Sequence, residues 1–439
     1  MLFDTNPTAD AHGIPTALQQ FEPTRLAALA RLKAVTPSSY ARTRNALDGA
    51  VTGLSPYFTH GLLQVAEATA LVHARTPLGF DDKLVFEFAW REFFHHVWSR
   101  ADDHGDAILS DMRSPPAWPG TYADMLPDDI HEGRTGVPAI DAAVRVLYAT
   151  GYLHNHARMW LASYVVHVRK VHWRAGADWL YTYLLDGDLP SNHLSWQWVA
   201  GTFSSKPYLF NAENVSKFAP ARARAAWDSK GTVIDQSYEA LDTLARTKRD
   251  AGAERGRHEA VEAPETFDDV PSSVLQAILA SDPAQARVFE SGAATGLIAN
   301  LQPGETLELV HPWALSPAAE GASTRRLGVI HQPAHAHWPW SAARWDFVLR
   351  AMASQVDAVW VGDLRQLRAS LNIPASTRLT AQASRFPGYR DALASTATTR
   401  AAPRLLANPT RLCRSFSAFY EQARRDAGTL PDLLRATAA

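Results

Sequence analysis

Residues 186–198 read DGDLPSNHLSWQW, and this stretch decides how the rest of the sequence is interpreted. It places two acids, the amide of Asn192 and two tryptophans within thirteen residues. A second unusual stretch, HNHARM at residues 154–159, puts Arg158 into an otherwise apolar helical region. A buried arginine is costly without a partner, and Asp186 is a natural one. Each residue could be structural by itself, as an ion pair or core aromatic, but the combination favours a binding site.

The composition predicts a soluble protein with a sizeable core. The chain has 439 residues, of which 46% are hydrophobic and 20% charged, and its net charge is −2. This balance excludes a uniformly basic surface, so any nucleic-acid contact must be local. The single cysteine, Cys413, excludes a disulfide framework and a four-thiolate iron–sulfur cluster. Because membrane-length apolar runs and a signal peptide are missing, we expect a cytoplasmic protein without a membrane partner. We also expect a monomer without a metal site.

Residues 1–245 are predicted to form one large helical domain. Apolar residues recur at three- and four-residue intervals over residues 139–170, with a break near Gly151. Residues 86–98 are aromatic almost all round, which is typical of a buried helix. Residues 246–272 are rich in charge, alanine and glycine, and they predict a linker or a solvated arm.

Residues 273–439 have a different pattern, in which short apolar runs alternate with helix-like segments. This pattern predicts a parallel sheet flanked by helices. The predicted strands are residues 307–310, 327–330, 358–361, 378–381 and 404–407. The predicted fold class is therefore multidomain, with a large all-helical domain followed by a smaller Rossmann-like α/β domain.

Four motifs between residues 40 and 218 resemble the photolyase/cryptochrome family, specifically its helical FAD-binding domain. They occur in the family's order and at nearly its spacing, over roughly half of the chain. The motifs are Leu54-Ser55-Pro56-Tyr57-Phe58 with Gly61, Trp90-Arg91-Glu92-Phe93-Phe94, Thr135-Gly136-Val137-Pro138 with Asp141-Ala142-Ala143, and residues 186–198. Each motif alone is weakly diagnostic, whereas the ordered set is specific.

The resemblance implies an FAD held among the helices. Asp186 and Asp188 would lie at the flavin and ribityl region, with Arg158 paired to Asp186. Asn192 would lie opposite flavin N5, where an amide can act as acceptor or donor. The residues that the resemblance assigns to the cofactor are Tyr40, Thr52, Ser55, Arg91, Asn155, Arg158, Asp186, Asp188 and Asn192.

The diphosphate end departs from the family pattern at one position. Ser55 and Thr52 would offer hydroxyls to the diphosphate, with Tyr40 and Arg91 nearby. Val51 stands where the first threonine of the family motif would be. The alternative interpretation of Ser55 is a helix N-cap before the proline that follows it.

The resemblance also implies a pocket for a flipped pyrimidine dimer. The residues assigned to catalysis are Glu87, Trp90, Asn155, Met159, Trp198, Trp196 and Trp173. Trp90 and Trp198 would stack on the lesion, although core packing is the alternative for both. Enzymes for the (6-4) lesion resemble this segment but carry histidines at the positions that match Asn155 and Met159. The chain therefore resembles the type that acts on cyclobutane dimers.

The family reduces its flavin through a chain of tryptophans. Trp196 and Trp173 match the first two positions. The third position falls near Gly120, and Trp118 or Trp179 could substitute for it. Core packing is again the alternative for Trp173.

The domain order differs from the family, whose α/β antenna domain precedes the helical domain. Residues 404–425 resemble the last antenna strand and the helix that leads into the flavin domain. Residues 344–349 resemble the helix after the second strand. The resemblance therefore implies a circular permutation, and an unrelated α/β domain is the alternative. The antenna pigment is unknown from the sequence.

The implied function is FAD-dependent, light-driven DNA repair by a deoxyribodipyrimidine photolyase-like carbon–carbon lyase. A cryptochrome-like blue-light photoreceptor and a degenerate flavoprotein that acts as an interaction module are the alternatives. The expected partner is DNA containing pyrimidine dimers, and His156 replaces an arginine that would assist in binding it. The candidate cations for DNA, some of which pairing would remove, are Arg91, Arg158, Arg169, Lys170 and Lys206.

Overall fold

The first half of the chain is helical, as its apolar periodicity predicts. The structure is a computed structural model that describes residues 12–103, 106–248, 259–318 and 324–438. The α-helices of this half are Arg25–Ala34 (α1), Pro37–Thr43 (α2), Ser55–His60 (α3), Val65–Arg75 (α4), Lys83–Arg100 (α5), Asp128–His131 (α6), Pro138–Thr150 (α7), Asn155–Ser163 (α8), Trp173–Tyr183 (α9), Leu189–Ala200 (α10), Ala212–Phe218 (α11), Arg224–Trp227 (α12) and Tyr238–Ala245 (α13). A π-helical turn, Tyr164–Val168, extends α8.

The break predicted near Gly151 is confirmed. Gly151 ends α7 with a left-handed φ of 64°, a conformation that glycine adopts at little cost. A Cβ at this position would lie 2.7 Å from the side chain of Leu185. The turn thereby brings the start of α8 beside the loop that carries residues 186–188.

The second half contains a five-stranded parallel sheet with the strand order β3-β2-β1-β4-β5, which is the doubly wound arrangement. The strands are Thr306–Val310 (β1), Arg325–His331 (β2), Ala358–Gly362 (β3), Arg378–Gln382 (β4) and Thr398–Arg400 (β5). The α-helices are Ser272–Ser281 (α14), Pro283–Ala286 (α15), Ala293–Ala299 (α16), Gln332–His335 (α17), Ala342–Ala353 (α18), Leu367–Ser370 (α19), Tyr389–Thr396 (α20), Phe416–Ala427 (α21) and Leu430–Ala438 (α22). The predicted α/β pattern is thus present after the helical half.

The prediction of the fifth strand at residues 404–407 is wrong. The edge strand is β5, a polar and exposed segment that hydrophobicity does not reveal. Residues 404–407 instead pack on α5, where the guanidinium of Arg404 lies 2.9 Å from the carboxylate of Glu92. The backbone N–H of Leu405 donates to the same carboxylate at 3.2 Å. The apolar run is therefore buried against a helix rather than within the sheet.

The segment predicted as a linker or solvated arm packs on both halves where it is described. Residues 249–258 lie outside the described residues. Beyond them, Thr266–Phe267 pairs antiparallel with Trp340–Ser341. The N–H of Val261 donates to the carbonyl of Glu132 at 2.8 Å. Within the described ranges, no helix is long and apolar enough to cross a membrane.

A fully buried arginine joins the two halves. Arg344 of α18 donates to the carbonyl oxygens of Tyr181 at 2.7 Å and Gly187 at 2.6 Å. Its guanidinium lies over the rings of Tyr181 and Trp340, 4.4 and 4.2 Å from their centroids. A Cβ at Gly187 would lie 2.3 Å from this guanidinium, so the position requires glycine. The α/β domain therefore supports the loop between the two acids of the sequence motif.

The R344M variant should lower the free energy of unfolding by about 2–4 kcal/mol, because two buried carbonyls lose their donor. Arg350 lies on the same helix and pairs with Asp346 at 2.8 Å near the surface. The matched R350M variant should cost less than about 1 kcal/mol. Denaturant unfolding of both variants measures the difference, and equal losses would contradict the bridging role of Arg344.

Candidate active site

One cavity of about 490 Å³ opens between α2, α3, α5, α8 and α10. Its volume is in the range of small-molecule sites. The predicted site residues that line it are Tyr40, Thr52, Ser55, Glu87, Trp90, Arg91, Asn155, Arg158, Met159, Asp186, Asp188, Asn192, Trp196 and Trp198. Of the predicted set, only Trp173 lies outside the cavity wall. The structure thus gathers residues from five helices that are far apart in sequence.

The two acids of the motif are buried and paired. Asp188 caps α10 and receives the guanidinium of Arg91 at 2.9 Å and the imidazole of His95 at 3.0 Å. Burial alone would raise the pKa of Asp188, but Arg91 and His95 hold it well below its usual range. The guanidinium of Arg158 lies 2.8 Å from Asp186, which confirms the predicted pair. Both carboxylates are therefore held in place as fixed acceptors.

The pairing of Asp188 gives Arg91 a partner that was not predicted and adds His95 to the site. Arg91 was expected beside a diphosphate, yet its guanidinium engages Asp188. His95 was missed by the sequence analysis, although it lies one helical turn after Arg91 and therefore on the same face of α5. That spacing was the available signal.

The hydroxyl of Ser55 makes no side-chain hydrogen bond to another residue of the described ranges. Leu54 is the N-cap of α3, and no side-chain capping bond forms there. The N-cap interpretation of Ser55 is therefore wrong, because Ser55 is the first helical residue. The hydroxyl of Thr52 accepts from the N–H of Leu54 at 3.3 Å. Burial raises the pKa of Tyr40, so its phenol keeps its proton.

The amide of Asn192 has a defined orientation. Its Nδ2 donates to the carbonyl of Ala177 at 2.8 Å. Its Oδ1 has no hydrogen bond to any of the described residues. Of the two roles that the sequence left open, this arrangement favours an acceptor in the cavity wall.

The other wall of the cavity combines aromatic faces with hydrogen-bonding groups. Trp198 is 36% exposed. Trp90 stacks on Phe416 of α21 with a centroid distance of 4.1 Å and an interplanar angle of 8°. The carboxylate of Glu87 lies 3.2 Å from the guanidinium of Arg44, a cavity residue that the sequence analysis missed.

Most of the cations proposed for DNA are already engaged. Arg91 and Arg158 pair with the two acids, and Arg169 is buried against Asp129 at 2.5 Å. Lys170 is buried and donates to two backbone carbonyls at 2.7 and 3.0 Å. The prediction that pairing removes some of these cations is confirmed, since Arg91 and Arg158 are paired. Arg169 and Lys170 are wrong as DNA contacts because both are buried. Lys206 is exposed, as a DNA contact requires.

The two predicted electron-transfer tryptophans lie on adjacent helices. Trp196 is 2% exposed, and its indole packs on Gly176, one turn after Trp173 in α9. A series of ring contacts links Trp118 to Trp173. The centroid distances are 5.4 Å between Trp118 and Tyr122, 6.5 Å between Tyr122 and His172, and 5.5 Å between His172 and Trp173. Within the described residues, no comparable ring contacts join Trp179 to Trp173.

Two histidines beside the cavity are held neutral by burial. His154 caps α8, accepting from the N–H of His156 at 3.1 Å through Nδ1. Burial lowers the pKa of His154 to about 3 and that of His156 to about 4. His156 is consequently uncharged at neutral pH and does not replace the positive charge of the family's arginine.

Comparison with known proteins matches one part of the chain to a known domain. The model for the FAD binding domain of DNA photolyase matches residues 84–266. These residues are therefore similar to the FAD-binding domain of the photolyase family. The matched residues include the acids of the cavity and the two tryptophans predicted for electron transfer, whereas the Ser55 motif and the parallel sheet lie outside them.

Individual proteins match the chain over part of its length. A deoxyribodipyrimidine photo-lyase of Streptomyces griseus is 39% identical over 156 residues, covering 35% of this chain and 32% of the relative. A deoxyribodipyrimidine photo-lyase of Thermus thermophilus is 38% identical over 193 residues, covering 43% of this chain and 45% of the relative. A cryptochrome DASH of Idiomarina loihiensis is 33% identical over 222 residues, covering 47% and 48%. The matches span less than half the length of each relative.

Acid should destabilise the folded chain through His154. The ordinary pKa of 6.5 falls to about 3 on folding, so the unfolded chain binds this proton first. The stability due to neutral His154 is complete above pH 6.5 and is lost as the pH falls toward 3. Between pH 7 and 4.5 the loss from this residue is about 2–3 kcal/mol, at ~1.4 kcal/mol per pKa unit.

The H154N variant keeps a capping oxygen and removes the titration. Denaturant unfolding at pH 7 and 4.5 should therefore show a pH-dependent loss smaller by that amount than in the wild type. An unchanged pH dependence would contradict a buried neutral imidazole at this position.

Proposed function

We propose that the chain is an FAD-dependent, light-driven lyase that splits cyclobutane pyrimidine dimers in DNA. The observation that carries this proposal is the composition of one cavity. Fixed carboxylates and an acceptor amide line it together with two tryptophans and the Glu87 carboxylate. A cofactor and a planar base ligand could thus share one site. Relatives named deoxyribodipyrimidine photo-lyase support the same reaction.

The cavity residues fit FAD in their charges and hydrogen-bonding groups. Asp186 and Asp188 are fixed acceptors for ribityl hydroxyls and ring N–H groups. The hydroxyl of Ser55 and the side-chain oxygen of Asn192 have no hydrogen-bond partner among the described residues, so both could contact the cofactor. FAD, when bound, supplies light-driven one-electron transfer. The chain's own contribution is to bind the cofactor, orient it and exclude water with the aromatic walls.

The opposite wall suits a lesion that has left the base stack. A damaged pair costs less to unstack than a normal pair, and aromatic faces then hold the extruded bases. Trp90 and Trp198 provide these faces, while Glu87 and Asn155 can hydrogen-bond the base edges. The stack of Phe416 on Trp90 covers one ring face and fixes the ring plane.

A cryptochrome-like photoreceptor that keeps FAD but lacks repair is the second candidate, supported by the match to a cryptochrome DASH. The decisive experiment begins with the absorption spectrum of the purified protein, which should show bound FAD. Light-dependent repair of an oligonucleotide with one defined cyclobutane dimer then tests the lyase. Bound FAD without repair or lesion preference would support the photoreceptor instead.

We also propose that the α/β domain is an antenna-like domain moved behind the helical domain by circular permutation. The doubly wound strand order supports this origin. The packing of residues 404–438 supports the permutation as well, because this segment packs against the helical half. The pigment that such a domain would bind stays unspecified.

Replacing Trp90 by alanine should remove a stacking wall worth about 1–3 kcal/mol. Affinity for dimer-containing DNA should fall about tenfold or more, at ~1.4 kcal/mol per decade. Fluorescence anisotropy with damaged and undamaged duplexes measures this, and binding to the undamaged duplex and FAD content should not change. The matched control is W118A, since Trp118 is half-buried outside the cavity. Equal losses on both duplexes would refute the lesion-specific role.

Replacing Trp196 by phenylalanine should abolish or strongly slow light-driven flavin reduction while FAD stays bound. Phenylalanine preserves bulk but is much harder to oxidise. The control is W179F, because Trp179 is also buried, at 6% exposure, and donates to the hydroxyl of Tyr148. Steady illumination with absorbance detection compares the two rates. A wild-type rate in W196F would mean that another donor operates.

A further inference from the structure

The indole of Trp173 has an acidic partner that the proposed function does not use. Its Nε1–H donates to Oδ1 of Asp111 at 2.7 Å. Trp173 itself is only 1% exposed, whereas Asp111 is exposed to solvent. A buried, oxidisable ring is thereby connected to water through one carboxylate.

We propose that Asp111 is the proton acceptor that traps the light-generated radical at Trp173. The inference rests on the proposed function, because it requires Trp173 to donate an electron. Trp173 loses one electron through Trp196 to the light-excited oxidised flavin, which is the oxidant. The indole N–H bond then breaks and an O–H bond forms on Asp111. The products are a neutral tryptophanyl radical and a protonated carboxyl group, which releases its proton to water.

The surroundings of Trp173 leave Asp111 as the base for this transfer. The nearby carboxylate of Asp178 is already shared by Arg174 at 2.7 Å and His193 at 2.8 Å. Within the described residues, Asp111 is the group that accepts from the Trp173 indole. Because the ring is buried, water has little direct access to its N–H.

Proton transfer at this site would slow the return of the electron. A one-electron-oxidised indole is far more acidic than the neutral ring, so a hydrogen-bonded carboxylate can take its proton. Once the proton has left, recombination requires the proton to come back together with the electron. Asp111 would therefore let Trp173 end the electron-transfer chain although the family's third position falls near Gly120.

Transient absorption of the FAD-loaded full-length chain tests this role, since the cationic and neutral tryptophanyl radicals have different spectra. In D111N the rate of radical deprotonation should fall about 10²-fold, the lower end of what a positioned base contributes. The cation should then persist and decay by recombination. D111E should restore the neutral radical in part. The control D124N removes an exposed acid from the same loop and should behave as the wild type.

A dark measurement examines the hydrogen bond without any photochemistry. The indole N–H resonance of Trp173, assigned by its loss in W173F, should lie downfield and exchange slowly in the wild type. D111N should shift it upfield and speed its exchange, whereas D124N should not. An unaffected resonance would overturn the Asp111 contact.

The outcomes separate this inference from the proposed function. A wild type that forms the neutral radical, with D111N forming it equally fast, overturns the role of Asp111 alone. Loss of the neutral radical in W118F but not in D111N also overturns it and makes Trp118 the terminal donor. A wild type that binds FAD but forms no tryptophanyl radical overturns both the electron-transfer chain and the inference.

Discussion

The structure depends on the pairing of two buried carboxylates within one short loop. Asp186 and Asp188 are each 6% exposed, and burial of an unpaired carboxylate is strongly unfavourable. Their cationic partners come from α5 and α8, while Arg344 of the α/β domain binds the backbone of the intervening Gly187. Separate elements must therefore be in place together before the loop is stable. This requirement explains why the cavity and the junction between the two halves lie side by side.

Helix α5 links this constraint to the wall of the cavity that contains Trp90. One side of the helix carries the partners of Asp188, and the other is bound by the C-terminal segment. There Glu92, at 6% exposure, pairs with Arg404, and Trp90 stacks on Phe416. Removing one partner of a buried ion pair leaves an uncompensated charge, which is more destabilising than replacing both partners by apolar residues. The orientation of Trp90 is thus set by residues more than three hundred positions away in the chain.

Sequence patterns predicted what is local or belongs to an ordered motif. The features predicted in this way are the buried α5, the break at Gly151, four of the strands and the partner of Arg158. Contacts between distant residues leave no such pattern, so Arg344 and the indole partner Asp111 were invisible. The fifth strand failed for a related reason: an apolar run reports burial but not the partner against which it is buried. The polar edge strand β5 carries no apolar signal at all.

The dependence of the cavity on tertiary contacts bears on the permutation we propose. Arg344 and Phe416 reach the helical half through space, and neither contact requires that the α/β domain precede it in the chain. A rearrangement that keeps these contacts preserves the cavity and changes only the connecting segments. In the segment between the two halves, Thr266–Phe267 pairs with Trp340–Ser341. This pairing holds the α/β domain close to the contact between the two halves. Domain order can therefore change while the electrostatics around Asp186 and Asp188 stay the same.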